Sequence, residues 1–161
     1  MIEYVFEPNP DDHCESPKQA YEDIAILLDQ LALEMGRTRA TLKIYDPFYC
    51  EGSVVKILGE LGFTSVYNRN EDFYKTWKES KLPEFDCILT NPAYSSDHVE
   101  YLVTFCLCSV KPWFLLLPNY VYTKDYYQEL VSNKSVFKEM VLYLCPRSRY
   151  LYTTPKVCGL Y

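Results

Sequence analysis

The chain has 161 residues, of which 48% are hydrophobic, 24% charged and 16% aromatic. The length points to one domain over 1–161 with a real core, and the composition excludes a disordered or collagen-like chain. A net charge of −6 argues against a protein that coats nucleic acid over its whole surface.

The longest apolar run, Trp113-Phe114-Leu115-Leu116-Leu117, falls far short of the ~18 residues of a membrane span, and the acidic N-terminus shows no signal-peptide core. The seven cysteines are odd in number and include no C-x-x-C pair. A reducing intracellular compartment, cytoplasmic or nuclear, is therefore expected. His13-Cys14 and His98 offer no paired metal-ligand spacing, so no metal is expected.

Residues 1–15 read as a polar loop. Ser16 then serves as a helix N-cap before Pro17, and Ala20, Tyr21, Ile24, Leu27, Leu28 and Leu31 carry a helix to Gly36. A strand over 41–45 is stopped by Asp46-Pro47. Phe48 to Gly52 is a loop, and Val54, Val55, Leu58 and Leu61 mark a helix closed by Gly62. A strand over 64–67 and a helix over 73–78 follow. A third strand over 85–90 ends at Asn91-Pro92. Asp97 with Glu100 predicts a capping box for a helix through Val110. The strand over 113–117 is apolar on both faces, a helix follows over 124–131, and a last strand is expected over 137–144.

This alternation predicts an α/β fold with a doubly wound, mostly parallel sheet. Ligands on such sheets sit beyond the carboxyl ends of the strands, where the strand order reverses. Polar and aromatic residues stand at each of those ends: Asp46 to Gly52, Asn68 to Phe73, Asn91 to Tyr94, and Pro118 to Tyr120.

Asp46-Pro47-Phe48, with Cys50 and Gly52, resembles the D-P-F-C-G-S-G loop of class I S-adenosylmethionine-dependent methyltransferases. Asn91-Pro92-Ala93-Tyr94 resembles the D/N-P-P-Y/F motif of their amino-methylating branch. Glu15-Ser16-Pro17 resembles a cofactor-contacting segment of adenine-N6 enzymes, and Asn70-Glu71-Asp72-Phe73 resembles the D-F element that holds the cofactor's adenine. The resemblance spans roughly residues 15 to 145, with the motifs in the family's order. It implies a Rossmann-like methyltransferase fold, compressed between Asp46 and Asn91. It departs from the family at Tyr49, an extra residue, at Glu51 in place of a glycine, and at Ala93 in place of a proline.

The resemblance implies S-adenosylmethionine as cofactor, contacted by Ser16, Asp46, Phe48, Cys50, Gly52, Asn70, Asp72 and Phe73. Asp46 is expected to bind the methionine amino group or to order the loop. Asn91 and Pro92 are expected to accept hydrogen bonds from the substrate amino group, and Tyr94 to stack on its plane. The leading substrate is adenine N6 in RNA or DNA. A protein glutamine amide, or a methyltransferase-like scaffold without turnover, is the alternative. Two blander readings of Asn91 to Tyr94 stand beside these: a turn after a strand, and an N-P-x-Y interaction peptide. The chain ends soon after the last expected strand, which points to a trimmed C-terminus or a partner subunit.

The last third of the chain is basic. Residues 111–161 carry seven basic and three acidic groups, and Arg147, Arg149 and Lys156 alternate with Tyr150, Tyr152 and Tyr161. Together with Tyr120 and Tyr122 they make a candidate surface for unpaired bases and phosphates, against the plainer reading of a solvated or core-filling set. His98 is a candidate for lining the pocket, against the plainer reading of a solvated residue in a helix's first turn.

Overall fold

The computed structural model describes residues 4–6, 12, 14–133 and 141–152. Helix α1 spans Lys18–Glu34, and strand β1, Ile44–Tyr45, leads to α2, Ser53–Glu60. Strand β2 is Val66–Tyr67, α3 is Phe73–Lys78 and β3 is Cys87–Thr90. Helix α4, His98–Ser109, leads to β4, Trp113–Leu115, then a 3-10 turn at Val121–Thr123 and α5, Asp125–Asn133.

The four strands form one parallel sheet in the order β2-β1-β3-β4. Ile44 pairs with Val66 and with Cys87, and Ile88 with Trp113. Alternation along the strands sends successive side chains to opposite faces. Ile44, Cys87 and Leu89 pack under Leu28, Ala32, Val54 and Leu58 of α1 and α2. Tyr45 and Ile88 pack under Phe73, Leu102 and Phe105 of α3 and α4. A third cluster joins Val99, Val103 and Leu107 to Val121 and Tyr127. Helices thus cover both faces, and strand order reverses at β1 and β3. Helices α2 and α3 and strands β2 and β3 fill the interval between Asp46 and Asn91.

Three local differences from the sequence pattern have identifiable causes. The strand expected over 41–45 is shorter because Thr38 and Thr41 close a turn: Leu42 N–H donates to Thr38 O at 2.9 Å, and Thr38 N–H to Thr41 Oγ1 at 2.9 Å. Lys43 N–H goes to the Asp86 carboxylate at 2.9 Å instead of a strand. Ser16 is not the cap of α1. Pro17 holds that position in extended geometry, and the Ser16 hydroxyl is turned to the Tyr21 phenol. Asp97 does stand at the N-cap of α4, but its side chain makes no capping bond.

The last expected strand lies outside the described residues over 137–140. Residues 141–144 are described and irregular, with Leu142, Tyr143 and Leu144 exposed, so no strand continues there. Among the described residues β4 has one strand neighbour, and its side chains are half-buried rather than enclosed. Among the described residues no disulfide forms, no helix is long and apolar enough to cross a membrane, and no cluster of three or more metal-ligating side chains occurs.

Candidate functional site

At the reversal of strand order the ends of β1 and β3 are joined through one buried carboxylate. Asp46 Oδ1 accepts Thr90 Oγ1–H at 2.5 Å and Phe48 N–H at 3.1 Å. The second bond is an Asx turn, which Pro47 pre-sets through its fixed φ. Burial pushes the Asp46 carboxyl up to about 7, against the pull of those two hydrogen bonds and with some help from Glu15. From the end of β2, Asn68 Nδ2 donates to the carbonyls of Asp46 at 3.1 Å and Phe48 at 3.3 Å. Its own carbonyl oxygen is buried with no hydrogen-bond donor among the described residues. Asn68 had no family motif to mark it; its position at the end of β2 was the available signal.

The rest of that loop is held by the N-terminal segment. Gly52 has φ +81°, and a Cβ there would meet the Tyr49 ring at 3.2 Å, so the extra tyrosine and the glycine fit each other. Glu15 accepts Glu51 N–H at 2.6 Å and a short bond from Ser53 Oγ. The Glu51 side chain itself is exposed, away from the lining of the site. Burial, with Glu15 and Glu51 nearby, drives the Cys50 thiol far above its ordinary value, so it stays protonated.

Beyond β2 the expected contacts divide. Asp72 caps α3, accepting Lys75 N–H at 3.1 Å. Glu71 takes the Tyr67 hydroxyl on both oxygens, at 3.0 and 3.1 Å. Phe73 is buried and meets the Phe48 ring at 5.6 Å. Asn70 does not line the site; its Oδ1 accepts Val5 N–H at 3.3 Å.

These strand ends surround a cleft of about 290 Å³. Ser16, Asp46, Phe48, Cys50, Gly52, Asp72, Phe73 and Asn91 line it together. So do Glu15 and Glu71, which lie within the quoted motifs without an assigned contact, and Asp12, Asn68, Tyr74 and His98, which lie outside them. No Lys or Arg is among the described lining residues, against five carboxylic acids.

Comparison with protein-family models, with curated proteins and with solved structures returned no match.

Around Asn91 the geometry departs from the stacking role expected for Tyr94. Tyr94 does not line the cleft; it packs with Val99, Val103 and Val121. Its hydroxyl makes a short bond to Asn91 Oδ1, reaches Leu116 O at 3.0 Å, and is bonded to Tyr152. Burial, with Tyr152 beside it, raises the phenol well above its usual range, so it remains a neutral donor. Pro92 is buried outside the lining, while Ala93 is part of it. Asp12 fixes the same loop, accepting Tyr94 N–H at 2.9 Å, Ser95 N–H at 3.0 Å and a short bond from Ser95 Oγ.

The expected substrate surface lies apart from the cleft lining. Tyr120 and Tyr122 are about half exposed at the turn after β4, and Tyr122 meets Tyr143 edge-on at 6.2 Å. Arg147 and Arg149 are exposed in the irregular segment 141–152. That segment is anchored by Tyr150, which donates to Asp23 at 2.7 Å, and by the Tyr152 bond to Tyr94. Lys156 and Tyr161 lie outside the described residues.

Proposed function

We propose that the chain binds S-adenosylmethionine in this cleft and transfers its methyl group to an amino nitrogen, with adenine N6 of RNA or DNA as the leading substrate. The observation that carries this reading is the charge of the cleft: carboxylic acids and aromatic rings at the switch point of a parallel sheet, with no Lys or Arg among the described lining residues. Phosphate-bearing nucleotides call for cations or free backbone donors there. Glu15 instead fills the N-terminal end of α2 with the chain's own carboxylate. A net-cationic nucleoside suits the same lining.

The residues present fit that ligand. Asn68 offers a buried acceptor without a donor, and both Asp46 bonds fall on one oxygen, leaving Oδ2 without a hydrogen bond among the described residues. Phe48 and Phe73 supply an apolar wall for a planar base. When bound, S-adenosylmethionine supplies an electrophilic methyl on a sulfonium leaving group, so no protein acid is needed for departure.

The chain's own contribution is orientation. A carbonyl oxygen accepts two hydrogen bonds. Asn91 Oδ1 takes one from Tyr94 and keeps one for an amino N–H of the substrate. Accepting that N–H draws the nitrogen toward tetrahedral geometry and frees its lone pair. Tyr94 thereby acts as a positioning residue for the Asn91 amide, fixed from the other side by Asp12.

Calorimetric titration with S-adenosylmethionine and with S-adenosylhomocysteine tests the assignment, with ATP and NAD as controls. Binding of the first pair but not the second is expected; no heat from either of the first pair, on folded protein, overturns it. Methylation of a glutamine peptide rather than an oligonucleotide would move the substrate to protein and leave the Asn91 chemistry intact. Binding without transfer to either would identify a scaffold, the reading that Ala93 favours.

A further inference from the structure

His98, for which solvation was the plainer of two readings, is half-buried in the wall of the cleft, seven residues beyond Asn91 and sharing that wall with Asn91 and Ala93. Its Nδ1 and the Tyr74 hydroxyl are 2.6 Å apart across 24 residues of chain. The two rings stack at 5.5 Å and 28°, and Phe48 meets the imidazole edge-on at 6.4 Å. Three contacts from two other elements therefore fix the ring plane, an arrangement that a merely solvated histidine does not need.

The other acids of the cleft are engaged. Glu15 is bonded to Glu51 and Ser53, Glu71 to Tyr67, Asp72 to α3, and Asp12 to Tyr94 and Ser95. Asp46 sits beneath the loop on Thr90 and Phe48. Tyr74 is no rival base, because burial, with Asp72 and Tyr101 nearby, raises its phenol far above the ordinary value. His98 Nε2 has no hydrogen bond among the described residues.

Resting on the methyl-transfer reading above, we propose that His98 Nε2 receives the proton that the substrate amino nitrogen sheds on methylation, with Tyr74 holding the imidazole for it. In that step the nitrogen lone pair forms the new N–CH₃ bond, and the C–S bond breaks with its electron pair going to sulfur. The nitrogen, now positively charged, gives one N–H proton to Nε2, which restores a neutral methylated amine. The imidazolium returns the proton to water. The tautomer required has Nδ1–H donating to the Tyr74 oxygen. Tyr74 is thus a positioning residue. Asp46, Glu71, Asp72 and Tyr74 share the cleft lining with His98, Tyr101 lies against the Tyr74 ring, and Asp97 and Glu100 are close to His98 along the chain.

The experiment compares the whole chain with His98→Ala and Tyr74→Phe, in three measurements. Calorimetry with S-adenosylhomocysteine should give equal affinities for all three. Single-turnover methyl transfer should fall about 10²-fold in His98→Ala, the lower end for loss of a general base, and added imidazole should restore part of it. Imidazole ¹⁵N resonances of the wild type, with S-adenosylhomocysteine bound, should shift at His98 Nε2 on addition of adenosine and at Nδ1 in Tyr74→Phe. Equal transfer rates with binding intact, or no Nε2 shift with adenosine, overturn the role of His98 and leave the methyltransferase reading standing. No binding of S-adenosylhomocysteine to the wild type overturns both.

Discussion

Two residues at the strand ends separate chemistry from support. Asn91 faces the cleft, whereas Tyr94, three residues on, turns away and holds Asn91 through its hydroxyl. Asn91→Ala should cut turnover roughly 10²-fold, as loss of a preorganised polar contact does, with cofactor affinity unchanged. The stacking role expected of Tyr94 would need no hydroxyl. With the hydroxyl on Asn91, Tyr94→Phe should lower turnover about tenfold, the worth of one hydrogen bond of ~1–1.5 kcal/mol. Steady-state kinetics of the two variants against the calorimetric affinity check both.

Asp46 gives a pH signature. Its carboxyl is pushed up to about 7, so between pH 4 and 7 the folded state binds more protons than the unfolded one. Its contribution to stability is therefore fullest below about pH 4 and is lost as pH rises toward 7, by on the order of 3–4 kcal/mol. Asp46→Asn keeps the shape without the charge. Its thermal midpoint, relative to wild type, should rise steadily over that window; a constant difference would show that the buried carboxylate carries no such penalty.

At the level of elements, the short helix α3 ties a cap to the cleft. Asp72 was expected to contact the cofactor and is found accepting Lys75 N–H. Asp72→Ser retains a capping oxygen, whereas Asp72→Ala removes it at a cost of about 1 kcal/mol. Chemical denaturation should place the serine variant near wild type and the alanine variant below it. Equal cofactor affinity in the serine variant would confine Asp72 to the cap.

The loop before α2 is the second such element. Gly52→Ala must hold an L residue at φ +81° against the Tyr49 ring, which costs about 1–2 kcal/mol from the backbone alone. The same denaturation series should show it, and Tyr49→Ala should relieve the steric part but not the backbone part.

For the whole molecule, charge distribution decides what can approach. The chain is acidic overall, and so is the cleft. Phosphates are therefore expected to be met outside the cleft, at Arg147 and Arg149 on the segment that Tyr152 links to Tyr94. If single-stranded nucleic acid is the substrate, log affinity should fall with log salt by about 0.7 per phosphate contact. Arg147→Ala with Arg149→Ala should flatten that slope by about one to two units. An unchanged slope would remove these arginines from the interface.

The strand–helix alternation, the parallel sheet and the loops at the strand ends were legible in the sequence because each depends on a local signal: apolar periodicity, a proline after an aspartate or asparagine, a glycine at a turn. Those signals also brought Asp46, Phe48, Gly52, Phe73 and Asn91 to one rim, since parallel strands carry their carboxyl ends to the same side. What the chain does around that rim was decided by contacts between distant residues. Glu15 reaches Glu51 across 36 residues, Asp12 reaches Ser95 across 83, and Tyr74 reaches His98 across 24. Such pairings have no periodicity to betray them. A side-chain oxygen can cap its own helix, as Asp72 does, or clamp a remote loop, as Asp12 does, and only the packed neighbours choose between the two. The same packing turned Tyr94 inward and His98 toward the cleft, because burial rewards the apolar ring of the one while two neighbouring aromatic rings fix the plane of the other.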